Sequence, residues 1–155
     1  MESDGRQHPV HLSPNERHNT PVIIYVTVCA KDRKRILANP VVHPWLIRTW
    51  QENAGWLVGR YMIMPDHIHF FTAPAENPPS AFTAWMKRWK SFSARCWPYP
   101  EQAPIWQREA WDTQLRRHES YASKWEYVVN NPVRAGLTKR AEDWPYQGEL
   151  NELRW

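Results

Sequence analysis

Only two cysteines, Cys29 and Cys96, occur in the 155 residues, and they stand too far apart for a metal-binding or redox spacing. That excludes a disulfide-stapled scaffold and leads us to expect reduced thiols in a cytoplasmic protein. Glycine is scarce as well, and the five present form no phosphate-cradling loop. No run of about 18 apolar residues exists, so no segment reads as a membrane-spanning helix. Met1-Glu2-Ser3-Asp4-Gly5 lacks the basic and apolar regions of a signal peptide. Acidic residues are missing from one stretch altogether. Between Glu76 and Glu101 there is none, while Lys87, Arg88, Lys90 and Arg95 fall inside, so this segment alone carries a charge equal to the +4 of the whole chain.

What the chain has in plenty is tryptophan, with 11 residues. A hydrophobic share of 42% against 23% charged residues is that of a globular protein, and the length suits one domain with its own core. The acid-free segment interleaves its cations with Trp85, Trp89, Phe92, Trp97 and Tyr99. Basic groups attract phosphates and aromatic faces stack unpaired bases. Lys87, Arg88, Lys90 and Arg95, with Trp85 and Trp89, are therefore candidates for nucleic-acid contact. The competing reading is an amphipathic helix whose aromatics are core and whose charges are solvated. Arg116 and Arg117, just ahead of a later helix, are further candidates for phosphate contact.

Residues 1–20 are polar, aperiodic and expected to form a flexible arm. Pro21–Cys29 is β-branched and apolar and reads as a buried strand. Pro44–Ala54 has helical spacing, Trp56–Met64 reads as a second strand, and the Met64-Pro65-Asp66 turn leads into a third, His67–Thr72, antiparallel to it. Ser80 is a plausible N-cap for the basic helix, which runs to about Cys96. A short strand is expected around 112–116 and a helix over Glu119–Asn130, ending near Pro132 because the residue before a proline disfavours helical dihedrals. The stretch from Ala135-Gly136 to Asp143-Trp144-Pro145-Tyr146 reads as turn-rich, and residues 149–155 as a C-terminal tail beyond the domain at 21–148. This order predicts an α+β sandwich, an antiparallel sheet with helices on one face.

Two patterns carry chemistry. His67 and His69 flank Ile68 in a strand, where alternation turns both imidazoles to one face and permits them to chelate one divalent ion. Alone, such a pair is as compatible with a core or surface role. Tyr127 and Asn131, spaced i, i+4 near a helix end, place a phenol and an amide on one face. Tyr61, on the strand before the histidines, and Tyr121, on a different helical face, lack that context.

Met64-Pro65-Asp66-His67-Ile68-His69 together with Tyr127-Val128-Val129-Asn130-Asn131-Pro132-Val133-Arg134-Ala135-Gly136-Leu137 resembles the REP-associated tyrosine transposases, of the HUH single-tyrosine (IS200-like) transposase superfamily. The likeness extends to Ile105-Trp106-Gln107-Arg108-Glu109 and Trp144-Pro145-Tyr146. It implies a ferredoxin-like fold and a DNA endonuclease and strand transferase working through a 5′-phosphotyrosine. It implies His67 and His69 as ligands of Mg2+ or Mn2+, Asn131 as a third ligand and Tyr127 as nucleophile. The implied partner is single-stranded or hairpin DNA with REP-like repeats, bound by a monomer or a homodimer. A domesticated hairpin-DNA binder with weak or lost cleavage is the alternative. A zinc hydrolase is a third reading, for which His118 and Asp66 are the available extra ligands.

Overall fold

In the computed structural model, the described residues are 22–76, 81–115 and 118–154. The arm at 1–20, the cap position Ser80, and Arg116 and Arg117 lie outside them, as does the side chain of His118.

Five strands and four helices follow in the order β1 (Ile23–Ala30), α1 (Val42–Glu52), β2 (Trp56–Ile63), β3 (His67–Pro74), α2 (Phe82–Arg95), β4 (Trp106–Leu115), α3 (His118–Val129), α4 (Asn131–Arg134) and β5 (Gln147–Glu149). They build one sheet in the order β4-β1-β3-β2-β5, with every neighbour antiparallel. The first four strands have the order of a ferredoxin-like sandwich, as expected, and β5 adds a fifth at the β2 edge.

Strand alternation divides the side chains between two layers. On β1, Ile24, Val26 and Val28 enter the main core with Ile68 and Phe70 of β3, while Ile23, Tyr25 and Thr27 face the other way. The main core is closed by α1 through Val42, Leu46 and Trp50, and by α2 through Phe82, Trp85, Met86 and Trp89. These positions recur every three or four residues, the spacing of one helix face. The first turn of α1 is capped from outside by Asn39, whose Oδ1 accepts from the amides of Val41 and Val42 at 3.0 and 2.9 Å.

The expectation of helices on one face holds for α1 and α2 but not for α3. Tyr121 of α3 packs on Ile23 and Phe71, and Val128 on Met62, so this helix covers the opposite face. The histidines point to that same face. Strand β4 is also longer than expected, because it follows β1 from Ile23↔Leu115 to Ala30↔Trp106 across an irregularity near Val28. Its polar run Gln107-Arg108-Glu109 concealed a strand because β4 lies at the sheet edge, where one side of the backbone needs no partner strand.

The segment after 148 is tied into the domain rather than trailing from it. The amide of Leu150 donates to the Gly59 carbonyl at 3.0 Å, Asn151 Nδ2 to the Val58 carbonyl at 2.9 Å, and Leu153 is buried beside Tyr121. Gly59 permits that approach: a Cβ there would sit 2.6 Å from Leu153 Cγ and 2.9 Å from the Tyr121 hydroxyl. No helix among the described residues is long and apolar enough to cross a membrane.

Candidate metal and nucleophile site

His67 and His69 project from β3 with ring centroids 4.8 Å apart and planes nearly perpendicular. Each imidazole is held through Nδ1. His67 Nδ1 lies 2.8 Å from Asp66 Oδ1, and a carboxylate only accepts, so Nδ1 carries the proton and Nε2 keeps its lone pair. Asp66 is in turn anchored by Arg33, whose Nε donates to Oδ2 at 3.0 Å. Arg33 reaches it from a turn in which Asp32 and Arg33 adopt left-handed φ values of 57° and 54°. His69 Nδ1 meets two hydroxyls from β1, Tyr25 at 2.8 Å and Thr27 at 2.9 Å. The sheet register explains the contact: Thr27 is paired with His69, and Tyr25, two residues back, lies on the same face. The Tyr25 ring stacks on the imidazole with centroids 5.5 Å apart.

This environment keeps both histidines neutral. Burial pulls His69 down to about 3, with His67, Lys124 and Arg134 adding to the effect. Burial also lowers His67, against the pull of Asp66. Burial opposes the Asp66 charge, but hydrogen bonds from His67 and Arg33 outweigh it and hold the carboxyl below its ordinary value. Burial pushes the Tyr25 phenol up to about 12, with Thr27 and Arg134 working in the other direction. A neutral imidazole that donates from Nδ1, as His67 does to Asp66, offers Nε2 to a metal, and His69 does the same when its Nδ1 donates to a hydroxyl.

Tyr127 stands in the last turn of α3, 63% exposed. Its charge, were it ionised, would act on Tyr25, as the Arg134 cation does. Lys124 of the same helix lies over the Tyr25 ring at 5.1 Å. One end of α3 therefore carries Tyr127 and Lys124 towards the Tyr25–His69 pair. The expected continuous helix from Tyr127 to Asn131 is interrupted, since α3 ends at Val129 and Asn130 leaves helical geometry before α4 begins. Pro132 falls in the first turn of α4, where a missing N–H costs no hydrogen bond. The Asn131 side-chain oxygen is engaged by Arg134 Nη2. Among the described residues, no group of three or more His, Cys, Asp or Glu is placed to hold a metal ion. Asp66, one of the extra ligands of the zinc reading, is hydrogen-bonded at Oδ1 to His67 and at Oδ2 to Arg33.

The acid-free helix is placed differently from what base stacking requires. Trp85 and Trp89 are fully buried, Trp89 against Trp50, Phe70 and Trp106, and Trp85 against Phe70 and Phe82. Their indole N–H groups donate to the Asn53 carbonyl and the Thr49 hydroxyl. Neither ring is open to a base, and both are core residues. Lys90 donates to the Gln107 and Arg108 carbonyls at 2.7 and 2.8 Å, fastening α2 to the edge strand. Lys87, Arg88 and Arg95 are exposed. All three belong to the helix on the far side of the sheet from the histidines. Sequence reasoning missed the supports of the pair, Tyr25, Thr27 and Arg33. The two polar residues at i, i+2 on an otherwise apolar strand were the available signal for the first two.

Fold and site thus define an α+β sandwich with a histidine pair, each ring held through Nδ1, on the sheet face that a tyrosine-bearing helix covers. No protein-family model matches the chain. Its sequence is similar to the REP-associated tyrosine transposases: 26% identical over 89 residues to that of Escherichia coli K12, covering 57% of this chain and 52% of the relative. To a candidate REP-associated tyrosine transposase of Haemophilus influenzae it is 32% identical over 95 residues, 54% of this chain and 53% of the relative. The chain spans about half the length of these curated relatives. Its fold matches that of a REP-associated tyrosine transposase solved bound to a REP hairpin, with a TM-score of 0.66 and 17% identity over 91% of this chain and 80% of that one. A candidate transposase of Deinococcus radiodurans matches with a TM-score of 0.52 and 17% identity, over 80% of this chain and 95% of that one. The resemblance to the REP-associated tyrosine transposases therefore holds in sequence and in fold.

Proposed function

We propose that the chain is an endonuclease and strand transferase for single-stranded or hairpin DNA, with Tyr127 as nucleophile and His67 and His69 as metal ligands. The observation that carries this reading is the histidine pair: both rings are neutral, both are held through Nδ1, and both lie on the sheet face that α3 covers with Tyr127 at its end. The hairpin in the solved REP-associated relative supports the choice of DNA class. REP-like repeats in DNA of the cytoplasm are the substrate this implies.

Two imidazole nitrogens with further positions open to oxygen donors would hold a divalent cation, which the resemblance makes Mg2+ or Mn2+. When bound, such an ion supplies charge to a phosphate oxygen. The residues do the rest. Asp66 and Arg33 orient His67, while Tyr25 and Thr27 orient His69. Tyr127 attacks the phosphorus, forming the Tyr Oη–P bond as the P–O3′ bond breaks. The phenol proton leaves to solvent, the departing 3′ oxygen takes up a proton, and the downstream strand stays on Tyr127 as a 5′-phosphotyrosine. One ester replaces another, so rejoining to a second 3′-OH needs no external energy source. Asn131 offers its side-chain oxygen as the third ligand, since an amide oxygen keeps a second lone pair beside the one engaged by Arg134. The protein acts as a monomer or as a homodimer.

A second reading, a hairpin-DNA binder without cleavage, is favoured by that engaged Asn131 oxygen. The deciding experiment incubates the protein with Mn2+ and a 3′-labelled hairpin oligonucleotide carrying randomised single-stranded flanks. Label should move to the protein on a denaturing gel, and Tyr127→Phe should abolish the transfer while shifting the DNA in a native gel as before. Transfer that survives in Tyr127→Phe rules out this nucleophile. Binding without transfer by the unaltered protein selects the second reading.

A further inference from the structure

Arg134 has no part in the chemistry derived so far, yet it touches both Tyr127 and Asn131. Its guanidinium carbon lies 3.9 Å from the centre of the Tyr127 ring. Its Nη2 donates to the Tyr127 carbonyl at 2.9 Å and to the Asn131 side-chain oxygen. Three contacts to two neighbours thus come from one planar cation, across the break between α3 and α4. That break is where a helix alone gives no rigidity: α3 has ended, Asn130 is non-helical, and Tyr127 is exposed without an apolar pocket around its ring. Some other agent must fix the phenol's direction, and a guanidinium lying over the ring and bonded to the Tyr127 carbonyl and the Asn131 side chain is suited to it. Both hydrogen bonds leave from Nη2, and Arg134 is exposed, so the Nε and Nη1 edges face no acceptor among the described residues.

We propose that Arg134 is the positioning residue of the nucleophile, clamping the Tyr127 ring and the Asn131 amide into one unit and turning its free edge to the incoming phosphate. A flat guanidinium performs both tasks at once. A lysine at the same place supplies the charge but neither the stacking surface nor the shared donor geometry.

The inference rests on the nuclease reading, and its test separates the two. Single-turnover transfer of label from the 3′-labelled hairpin pool with Mn2+ is measured at saturating DNA for the wild-type protein, R134A and R134K, alongside Kd by fluorescence anisotropy. R134A should lower the saturated rate by about 100-fold, the scale of a misplaced reacting group, with little change in Kd. R134K should recover only part of that loss. A structural role alone would not divide rate from affinity in this way. Undiminished saturated rates in R134A, or a loss confined to Kd, overturn the clamp. Should R134A fail to fold by circular dichroism, R134K decides, and full activity in it overturns the clamp too. A wild-type protein that takes no label sinks the nuclease reading and this inference together; a labelled wild type beside an unimpaired R134A sinks this inference alone.

Discussion

At the scale of single residues, the histidine pair is defined less by its own side chains than by what holds them. Asp66 is the clearest case, since it fixes the His67 tautomer and is itself steadied by Arg33. Asp66→Ala frees His67 to turn and to protonate on Nε2. We expect the affinity for Mn2+ to fall by roughly 10–100-fold, the usual effect of losing such a support, as read by calorimetric titration. An unchanged affinity would mean that His67 does not bind the ion. His69 gives a prediction about pH. Its value in the folded protein, about 3, lies below the ordinary 6.5, so between those limits the unfolded chain binds the proton and the folded chain does not. Stability is then fully present above about 6.5 and falls as the pH drops towards 3, with a slope from this residue of at most about 1.4 kcal/mol per pH unit. His67 and His43, also lowered by burial, act in the same direction. Urea midpoints measured from pH 7 to pH 4 should decline, and His69→Gln should flatten the decline. Parallel curves for the two proteins would refute the assignment.

At the scale of elements, the acid-free helix shows how one pattern serves two ends. Its cations and aromatics alternate in sequence as they would in a surface that binds unpaired bases, but helical spacing turns Trp85 and Trp89 inward. Trp89→Ala should therefore cost about 3–5 kcal/mol of folding stability, the range for a truncated core aromatic, measured by urea denaturation. A loss of DNA affinity with stability intact would restore the stacking role. The exposed Lys87, Arg88 and Arg95 remain available to phosphates, but on the face of the sheet remote from the histidines. DNA bound there would be held away from the histidine pair. Helix α3 is the complementary case. Its moderate amphipathic pattern gave its span to within a residue, His118–Val129 against the expected 119–130, but not the face it covers.

At the scale of the molecule, closure depends on a contact between residues far apart in the chain. Leu153 packs where Gly59 leaves room, beside the Tyr121 hydroxyl. Gly59→Ala should cost about 1–3 kcal/mol by overpacking, and Leu153→Ala about 2–5 kcal/mol by leaving a cavity. Because the second change removes the atoms that the first collides with, the double variant should be less destabilised than the sum of the two. Strict additivity in thermal or urea unfolding would show that the two sites do not meet.

The sequence by itself determined the alternation of β1 and β3, hence the common face of His67 and His69, because side-chain direction in a strand has a period of two whatever the surroundings. It also determined the α+β order and, through two motifs, the resemblance to the transposase relatives. Tertiary structure decided the rest. The register of β1 against β3 brought Tyr25 and Thr27 to His69, a pairing that local pattern does not encode. Packing chose which face each helix covers, and so separated the basic helix from the histidines and laid α3, which carries Tyr127, on their side of the sheet. The edge position of β4 and the docking of residues after 148 likewise depend on partners distant in sequence, where polar residues suffice because only one side of the strand is paired. The histidine pair was legible from its spacing, whereas its low proton affinity, and the hydroxyls of Tyr25 and Thr27 that hold His69, arose only once burial and long-range contacts were in place.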